Sequence, residues 1–155
     1  MKPIEKIKNV VSEFQLEDAF EKFLNDFEVI VIRGEVFAVK KNSELAKRWK
    51  DLLTKYYLKI IYLGKKLGRL GNEFFPNVGF FEALFDYVDE SRKIELPYKK
   101  AWLFCCGRDV FMHQPGIYFL SYKGKLVGVA GYNKKKKIMK NLFDVGIYIR
   151  NQAKL

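Results

Sequence analysis

Charge is distributed very unevenly along this chain of 155 residues. Residues 1–95 carry 17 basic and 16 acidic side chains, whereas residues 96–155 carry 12 basic and 2 acidic ones. Nearly all of the net charge of +11 therefore belongs to the second stretch. A split of this kind predicts two modules, of which the second meets a polyanion. We place the predicted boundary between residues 95 and 96, next to Pro97.

A run of four lysines, Lys134–Lys137, leads directly into a segment with regularly spaced apolar residues. The apolar positions are Ile138, Leu142, Val145 and Ile149. Their spacing of three or four residues predicts one buried face of a helix, or of a turn leading into a helix. Such a face would hold the lysine backbone in place, so that the cations form a docking surface for nucleic acid. The alternative is a solvated loop that aids solubility.

Composition excludes several classes of protein. Apolar residues make up 49% of the chain, which is enough for packed cores and argues against disorder. The two cysteines, Cys105 and Cys106, are adjacent, and His113 is the only histidine, so we expect no disulfide framework and no metal site. The start of the chain lacks the apolar core of a signal peptide, and no apolar run approaches the length of a membrane span. We expect a reduced, cytoplasmic protein without a cofactor and without membrane partners.

The first module, residues 1–95, has the pattern of an α+β domain. Apolar spacing predicts helices over residues 4–14 and 17–27, or one helix bent near Gln15. A β-rich stretch over residues 29–40 with a glycine turn predicts a hairpin, and Asn42 or Ser43 can cap a following helix. The other predicted features are a strand over 57–63, a basic strand end or loop over 65–71, and an aromatic stretch over 74–85.

The second module, residues 96–155, predicts several short strands. We expect a strand over residues 100–106, one or two helical turns over 107–113, strands over 116–122 and 125–132, and a terminal helix. Lys123 and Gly124 form the predicted turn between the last two strands. Several short strands in about 60 residues favour a small closed or nearly closed β-barrel.

Several motifs, taken together, resemble a known family. They are Leu63-Gly64 with Gly68, Phe74–Val78 with Phe81, Gly107 with Phe111, and Lys140-Asn141-Leu142-Phe143-Asp144-Val145-Gly146. In this order and spacing they resemble the Nip-seven family of large-subunit ribosome-biogenesis factors, in its shorter archaeal form. The resemblance extends from about Val29 onward and is strongest at the last motif.

The resemblance implies a fold and a function. The implied fold is an α+β domain, with helices and a mostly antiparallel sheet, followed by a PUA domain. A PUA domain is a small β pseudo-barrel named after pseudouridine synthases and archaeosine transglycosylases. The implied activity is non-catalytic binding of RNA in large-subunit assembly and pre-rRNA processing, with preference for uridine-rich single strands. Implied protein partners are ribosome-assembly and exosome-linked proteins.

Basic side chains before the Asn-Leu pair contact RNA in archaeal relatives, and by position these contacts fall on Lys136, Lys137 and Lys140. Phe143 replaces a further basic residue of the family, and an aromatic ring there can stack on a base. Tyr132 and Tyr148 are nearby candidates for the same kind of contact. We therefore assign RNA binding to Lys134, Lys135, Lys136, Lys137, Lys140, Phe143 and Arg150. A second candidate RNA patch comprises Lys65, Lys66 and Arg69, whose alternative role is to protect a strand edge by charge.

Two other kinds of function remain as alternatives. One is a protein–protein adaptor in an RNA-processing complex, with a basic surface that meets acidic partners. The other is an accessory subunit of an RNA-modifying enzyme. Catalysis by the chain itself is disfavoured, because 95 residues are few for a pseudouridine synthase or transglycosylase core and no acid–base or nucleophile constellation stands out.

Overall fold

The computed structural model describes residues 1–56, 63–147 and 150. The chain divides into two compact units, Met1–Tyr87 and Val88–Leu155. This division falls before the predicted one at residues 95 and 96. The reason is that Lys93–Glu95 pairs in parallel with a strand of the second unit, although it precedes the change in charge. The protein is α+β, and its described residues form two four-stranded sheets that are mostly antiparallel.

The elements of the first unit follow in chain order. They are helices α1 (Pro3–Glu13) and α2 (Glu17–Asp26), strands β1 (Phe27–Ile32) and β2 (Glu35–Lys40), helix α3 (Glu44–Tyr56), strands β3 (Lys65–Leu70) and β4 (Phe74–Pro76), and helix α4 (Val78–Phe85). The second unit contains a 3-10 turn (Glu90–Arg92), strand β5 (Lys93–Glu95), helix α5 (Tyr98–Cys105), and strands β6 (Ile117–Tyr122), β7 (Lys125–Asn133) and β8 (Ile138–Asp144). Within the described residues, no helix is both long enough and apolar enough to cross a membrane.

Most predictions for the first unit are confirmed. The N-terminal apolar pattern forms two separate helices, α1 and α2, and Gln15 between them adopts a positive φ of 53°. The predicted hairpin is β1–β2, with Arg33 and Gly34 both at positive φ in the turn. Ser43 caps α3, since its Oγ accepts from the Ala46 backbone N–H at 3.1 Å. The predicted strand over 57–63 lies mainly outside the described residues.

The basic segment after Gly64 is an inner strand and not the strand edge considered from the sequence. The first sheet has the order β1-β2-β3-β4, so β3 pairs with strands on both sides. The aromatic stretch that follows divides at Asn77, whose side chain accepts from the Phe80 backbone N–H at 3.2 Å and so starts α4.

The second unit corrects two predictions. Residues 100–106 were predicted as a strand, but residues 100–105 belong to helix α5 and Cys106 is its C-cap. Ala101 and Phe104 are both buried and lie three positions apart, which is the spacing of a helix face and not the alternation of a strand. From the sequence alone, a short apolar run does not distinguish a helix from a strand. Residues 107–113, predicted as helical turns, form no helix. Gly107 has a φ of 82°, and Val110 pairs as an isolated bridge with Met139.

The sheet of the second unit has the order β5-β6-β7-β8, with α5 packed on one face. The core on that face contains Leu96, Ala101, Phe104, Val110, Leu120, Val127, Ala130 and Met139. Within the described residues, strand pairing does not close this sheet into a barrel. The β6–β7 hairpin is confirmed, with Lys123 and Gly124 at positive φ in its turn.

The segment after the lysine run is a strand, so the predicted helix over Ile138–Ile149 is wrong for the larger part of that range. Ile138–Asp144 forms β8, which pairs antiparallel with β7. The register shifts within the pair, so that Leu142 has no partner in β7 and is 42% exposed. Leu142 therefore belongs to no buried face, although its spacing from Ile138 and Val145 matched a helical period. A helical hydrogen bond appears only later, from the Arg150 backbone N–H to the Gly146 carbonyl at 3.1 Å.

Candidate nucleic-acid interface

The four lysines form the tip of the β7–β8 hairpin. We call Lys134–Lys137 the lysine turn. The Oδ1 of Asn133 accepts from the backbone N–H groups of Lys135 and Lys136, at 3.0 and 3.1 Å. The backbone N–H of Lys137 donates to the Asn133 carbonyl at 2.8 Å, and Lys137 has a positive φ of 52°. The backbone under the cations is therefore held by an Asn-centred turn and by two paired strands, not by the predicted helix face.

The side chains of the lysine turn are all exposed. Lys140 follows in β8 and is also exposed, about 10 Å along the strand from the tip. Among the residues that the structure describes, no carboxylate lies within ion-pair distance of any of these five ammonium groups. One hairpin thus presents five cations to solvent with their charge available to an anion.

Buried residues and hydrogen bonds to the segment before β6 hold the β7–β8 hairpin next to the lysine turn. Ile138 and Met139 are buried at the start of β8, and Met139 exchanges two backbone hydrogen bonds with Val110 at 2.9 Å. Tyr132, near the end of β7, makes a 2.6 Å hydrogen bond between its hydroxyl and His113 Nδ1. Tyr132 was a sequence candidate for base stacking, and its ring instead packs edge-on against His113.

Arg150, assigned to RNA binding from the sequence, takes part in a buried network. Its Nη1 and Nη2 donate to Asp144 Oδ1 and Oδ2 at 2.6 and 2.9 Å, and Nη1 also donates to the Cys105 carbonyl. The Asp144 side chain is 3% exposed and that of Arg150 is 35% exposed. The hydrogen bonds to Asp144 raise the pKa of Arg150 further above its usual value, against the effect of burial. The geometry gives Arg150 a structural role and places it outside the lysine cluster.

The motif that carries the family resemblance builds the rest of this network. Asn141 Nδ2 donates to the Phe104 carbonyl at 2.9 Å and to Asp144 Oδ2 at 3.0 Å. The Gly146 N–H donates to Asp144 Oδ1 at 2.9 Å. Carbonyls in the last turn of a helix lack intrahelical partners, so donors from Asn141 and Arg150 satisfy the end of α5. The Asn-Leu-x-Asp-Val-Gly residues therefore fasten β8 to α5.

Phe143 is half-buried rather than a free platform. It pairs in register with Val129, which is fully buried in β7. This position favours packing over stacking on a base. Tyr148, another sequence candidate for stacking, lies outside the described residues.

Two of the three members of the second candidate patch are paired with carboxylates. The Lys66 Nζ lies 2.7 Å from Glu35 Oε2, and the Lys65 Nζ lies 3.7 Å from Glu82 Oε2. Arg69 is exposed and pairs in strand register with Glu35. Neighbouring acidic side chains therefore offset much of the charge of this patch, and we do not build the interface on it.

Asn133 is the residue of this candidate site that sequence reasoning missed. An Asn directly before a polar run is a turn signal, because its side chain can accept from backbone N–H groups two and three residues later. In the described part of the chain, no three His, Cys, Asp or Glu side chains lie close enough together to hold a metal ion.

Comparison with models of known protein families and with curated proteins found no match to this chain.

Proposed function

We propose that this protein binds single-stranded RNA, without catalysis, through the lysine turn and Lys140. The observation that carries the proposal is the set of five exposed ammonium groups on one hairpin, whose backbone is fixed by Asn133 and whose charges have no carboxylate partners in the described residues. Each phosphate that such a cation neutralises releases counterions, which makes binding favourable and dependent on salt. The lysine turn lies beyond the paired residues of β7 and β8, a position at which an extended RNA strand can meet it.

The finer assignments rest on the sequence motifs. From the resemblance to the Nip-seven family we infer a role in large-subunit assembly or pre-rRNA processing, with preference for uridine-rich strands. We also infer that the second unit is a PUA domain. The helix packed on a mostly antiparallel sheet and the two hairpins β6–β7 and β7–β8 support that inference.

A salt titration tests the proposal. The affinity for a labelled uridine-rich strand of about twelve nucleotides is measured at several salt concentrations by fluorescence anisotropy. For single strands, log K against log salt has a slope of about −0.7 per neutralised phosphate, so five contacts give a slope near −3.5. Replacement of all five lysines, Lys134–Lys137 and Lys140, by alanine is expected to remove most of that slope.

A matched control separates local contacts from net charge. The control variant replaces five exposed lysines of the first unit, Lys8, Lys22, Lys40, Lys47 and Lys55, by alanine. It has the same net charge as the test variant and is expected to keep most of the affinity and of the slope. Equal losses in the two variants, or no RNA binding by the native chain, would overturn the proposal.

A further inference from the structure

Helix α5 leaves two large aromatic side chains in solvent. Tyr98 is 65% exposed and Trp102 is 60% exposed. They stand four residues apart on the helix, so their rings lie on the same side, one turn apart. The opposite side of α5 is packed into the core through Ala101 and Phe104. The aromatic residues are therefore a feature of the outer surface and not of the packing.

Apart from Glu95, the charged side chains described around these rings are basic. Helix α5 contains Lys99 and Lys100, both exposed, and no acidic residue. Lys99 lies three positions before Trp102 and is its neighbour on the helix surface. Lys123, on the turn after β6, has its Nζ 5.5 Å from the ring centroid of Tyr122. We call Tyr98, Lys99, Trp102 and Lys123 the α5 outer face.

One of the rings is held in position. Tyr98 packs edge-on against Tyr122, with 5.9 Å between the ring centroids, and Tyr122 is itself half-buried against the core of the second unit. A nearby carboxylate, Glu95, accepts hydrogen bonds from the Ser121 hydroxyl at 2.7 Å and from the Lys123 backbone N–H. These two hydrogen bonds hold the carboxylate of Glu95 at the β6–β7 turn.

We propose that the α5 outer face is a second contact site for single-stranded RNA, in which Trp102 and Tyr98 stack on bases while Lys99 and Lys123 meet phosphates. The inference rests on the proposed function and extends it from phosphate contact to base contact. Exposed aromatic rings interleaved with cations are the usual platform for unpaired nucleic acid, because every base has a flat face. Positive charge beside the rings favours a polyanion over an uncharged or basic protein partner.

The two sites lie at opposite ends of β7. The lysine turn follows the last residue of this nine-residue strand, and the α5 outer face adjoins the turn before the first. At about 3.3 Å per residue, the separation is about 30 Å. A strand of about twelve nucleotides is long enough in extended form to reach from one site to the other.

Tryptophan fluorescence gives a direct test, because the chain has only two tryptophans, Trp49 and Trp102. In a Trp49→Phe protein, a uridine-rich strand is expected to quench the emission of Trp102 in a saturable way. An abasic strand of the same length keeps the phosphates and is expected to quench it much less. Equal quenching by both strands, or none by either, would overturn stacking.

Affinity measurements complete the test. Trp102→Ala is expected to lower the affinity for the uridine-rich strand about five- to tenfold. The salt slope of that binding and the affinity for the abasic strand are expected to stay the same. Trp102→Phe should recover part of the affinity. Phe75→Ala removes an exposed ring of the first unit and serves as the control. Circular dichroism verifies folding of each variant. Unchanged affinity in Trp102→Ala would overturn the proposal and leave α5 as a surface for a protein partner.

The outcome for α5 can be read separately from the outcome for the lysine turn. If the lysine-turn variant and its control lose affinity equally while the uridine strand still quenches Trp102, the α5 site stands and the first site falls. If the salt slope depends on the lysine turn while Trp102 emission does not respond, only the α5 site falls.

Discussion

Arg150 and Asp144 form a bidentate ion pair, with both guanidinium Nη atoms within 2.9 Å of the two carboxylate oxygens. Asp144 also accepts from Asn141 and Gly146, so four donor contacts converge on one buried carboxylate. The pair joins the segment after β8 to the end of α5, since Nη1 of Arg150 also reaches the Cys105 carbonyl. The most specific-looking motif of the chain thus stabilises the fold of the second unit.

Replacement of Asp144 by alanine should destabilise the second unit. The variant removes the acceptor of the Gly146 N–H and one of the two acceptors of the Asn141 amide, and it leaves the guanidinium of Arg150 with only the Cys105 carbonyl. Removal of one partner of a buried ion pair costs about 3–5 kcal/mol, and partial exposure of Arg150 reduces this to about 2–3 kcal/mol of unfolding free energy. Urea denaturation of the variant and the native chain measures the difference. A change below about 0.5 kcal/mol would contradict the structural role.

Arg150→Met separates stability from RNA binding. Methionine keeps the apolar stem but loses the donors to Asp144, so we expect a lower unfolding free energy together with an unchanged salt slope for RNA. The measurement is the same anisotropy titration, made at a temperature at which the variant is fully folded. A slope less steep by about 0.7, the value of one phosphate contact, would show that Arg150 meets RNA after all.

Gly146→Ala tests how closely the end of α5 approaches the chain. A Cβ at Gly146 would lie against the Cys105 carbonyl oxygen and carbon, both of which are backbone atoms and cannot move aside cheaply. We expect a loss of about 1–3 kcal/mol of unfolding free energy. Gly124→Ala is the comparison, because a Cβ there meets nothing within 4 Å and only the positive φ of 73° opposes it, at about 1 kcal/mol. Equal losses would argue against a steric contact at Gly146.

Asn133→Ala should weaken RNA binding without removing a charge. Without the side-chain acceptor, the backbone N–H groups of Lys135 and Lys136 lose their partner and the tip samples more conformations. Ordering those lysines on binding then costs about 0.5–1.5 kcal/mol more, which lowers affinity about two- to tenfold. The salt slope is expected to stay the same, because the number of phosphate contacts does. Asn72→Ala, at an exposed position of the first unit, is the control.

Tyr87 should titrate late in the folded protein. Burial raises the pKa of its hydroxyl from 10.0 to about 12, assisted by the 2.6 Å hydrogen bond to Asp26 Oδ2. Between pH 10 and about pH 12, the Tyr87 hydroxyl therefore keeps its proton in the folded state and has lost it in the unfolded state. This contribution to stability is complete below pH 10 and is lost as the pH rises from 10 to about 12.

Tyrosinate absorbance against pH measures this titration, with Tyr87→Phe identifying the component that belongs to Tyr87. Asp26→Asn removes a negative charge and the strongest acceptor, so the late component should move towards the usual tyrosine pKa. A native titration curve without a late component would contradict the prediction.

The sequence was informative where one physical signal dominated. The helices at residues 4–14 and 17–27, the hairpin at Gly34 and the turn at Lys123 and Gly124 all follow from periodicity or from turn residues, and all are confirmed. It failed at short apolar runs, where strand and helix share the same composition. Residues 100–105 are helical, and Ala101 and Phe104 on one side of that helix pack into the core of the second unit, a contact that only the tertiary fold decides.

The candidate site shows the same division. The exposure of the lysine run could be predicted from its charge, but the pairing of Arg150 with Asp144 could not, because it depends on a strand and a later segment meeting at the end of α5. The exposure of Trp102 could not be predicted from the sequence either, since a tryptophan in an apolar stretch is most often part of a core.

Strand β5 is only three residues long, yet it is the outermost member of the second sheet on the β6 side. A fragment that begins at Leu96 would lack β5 and would leave backbone N–H and C=O groups of β6 unpaired. Unpaired groups at a sheet edge promote edge-to-edge self-association. A fragment that begins at Val88 retains that cover. Anyone isolating the basic half for crystallography or NMR should therefore cut the gene upstream of the place where the charge changes.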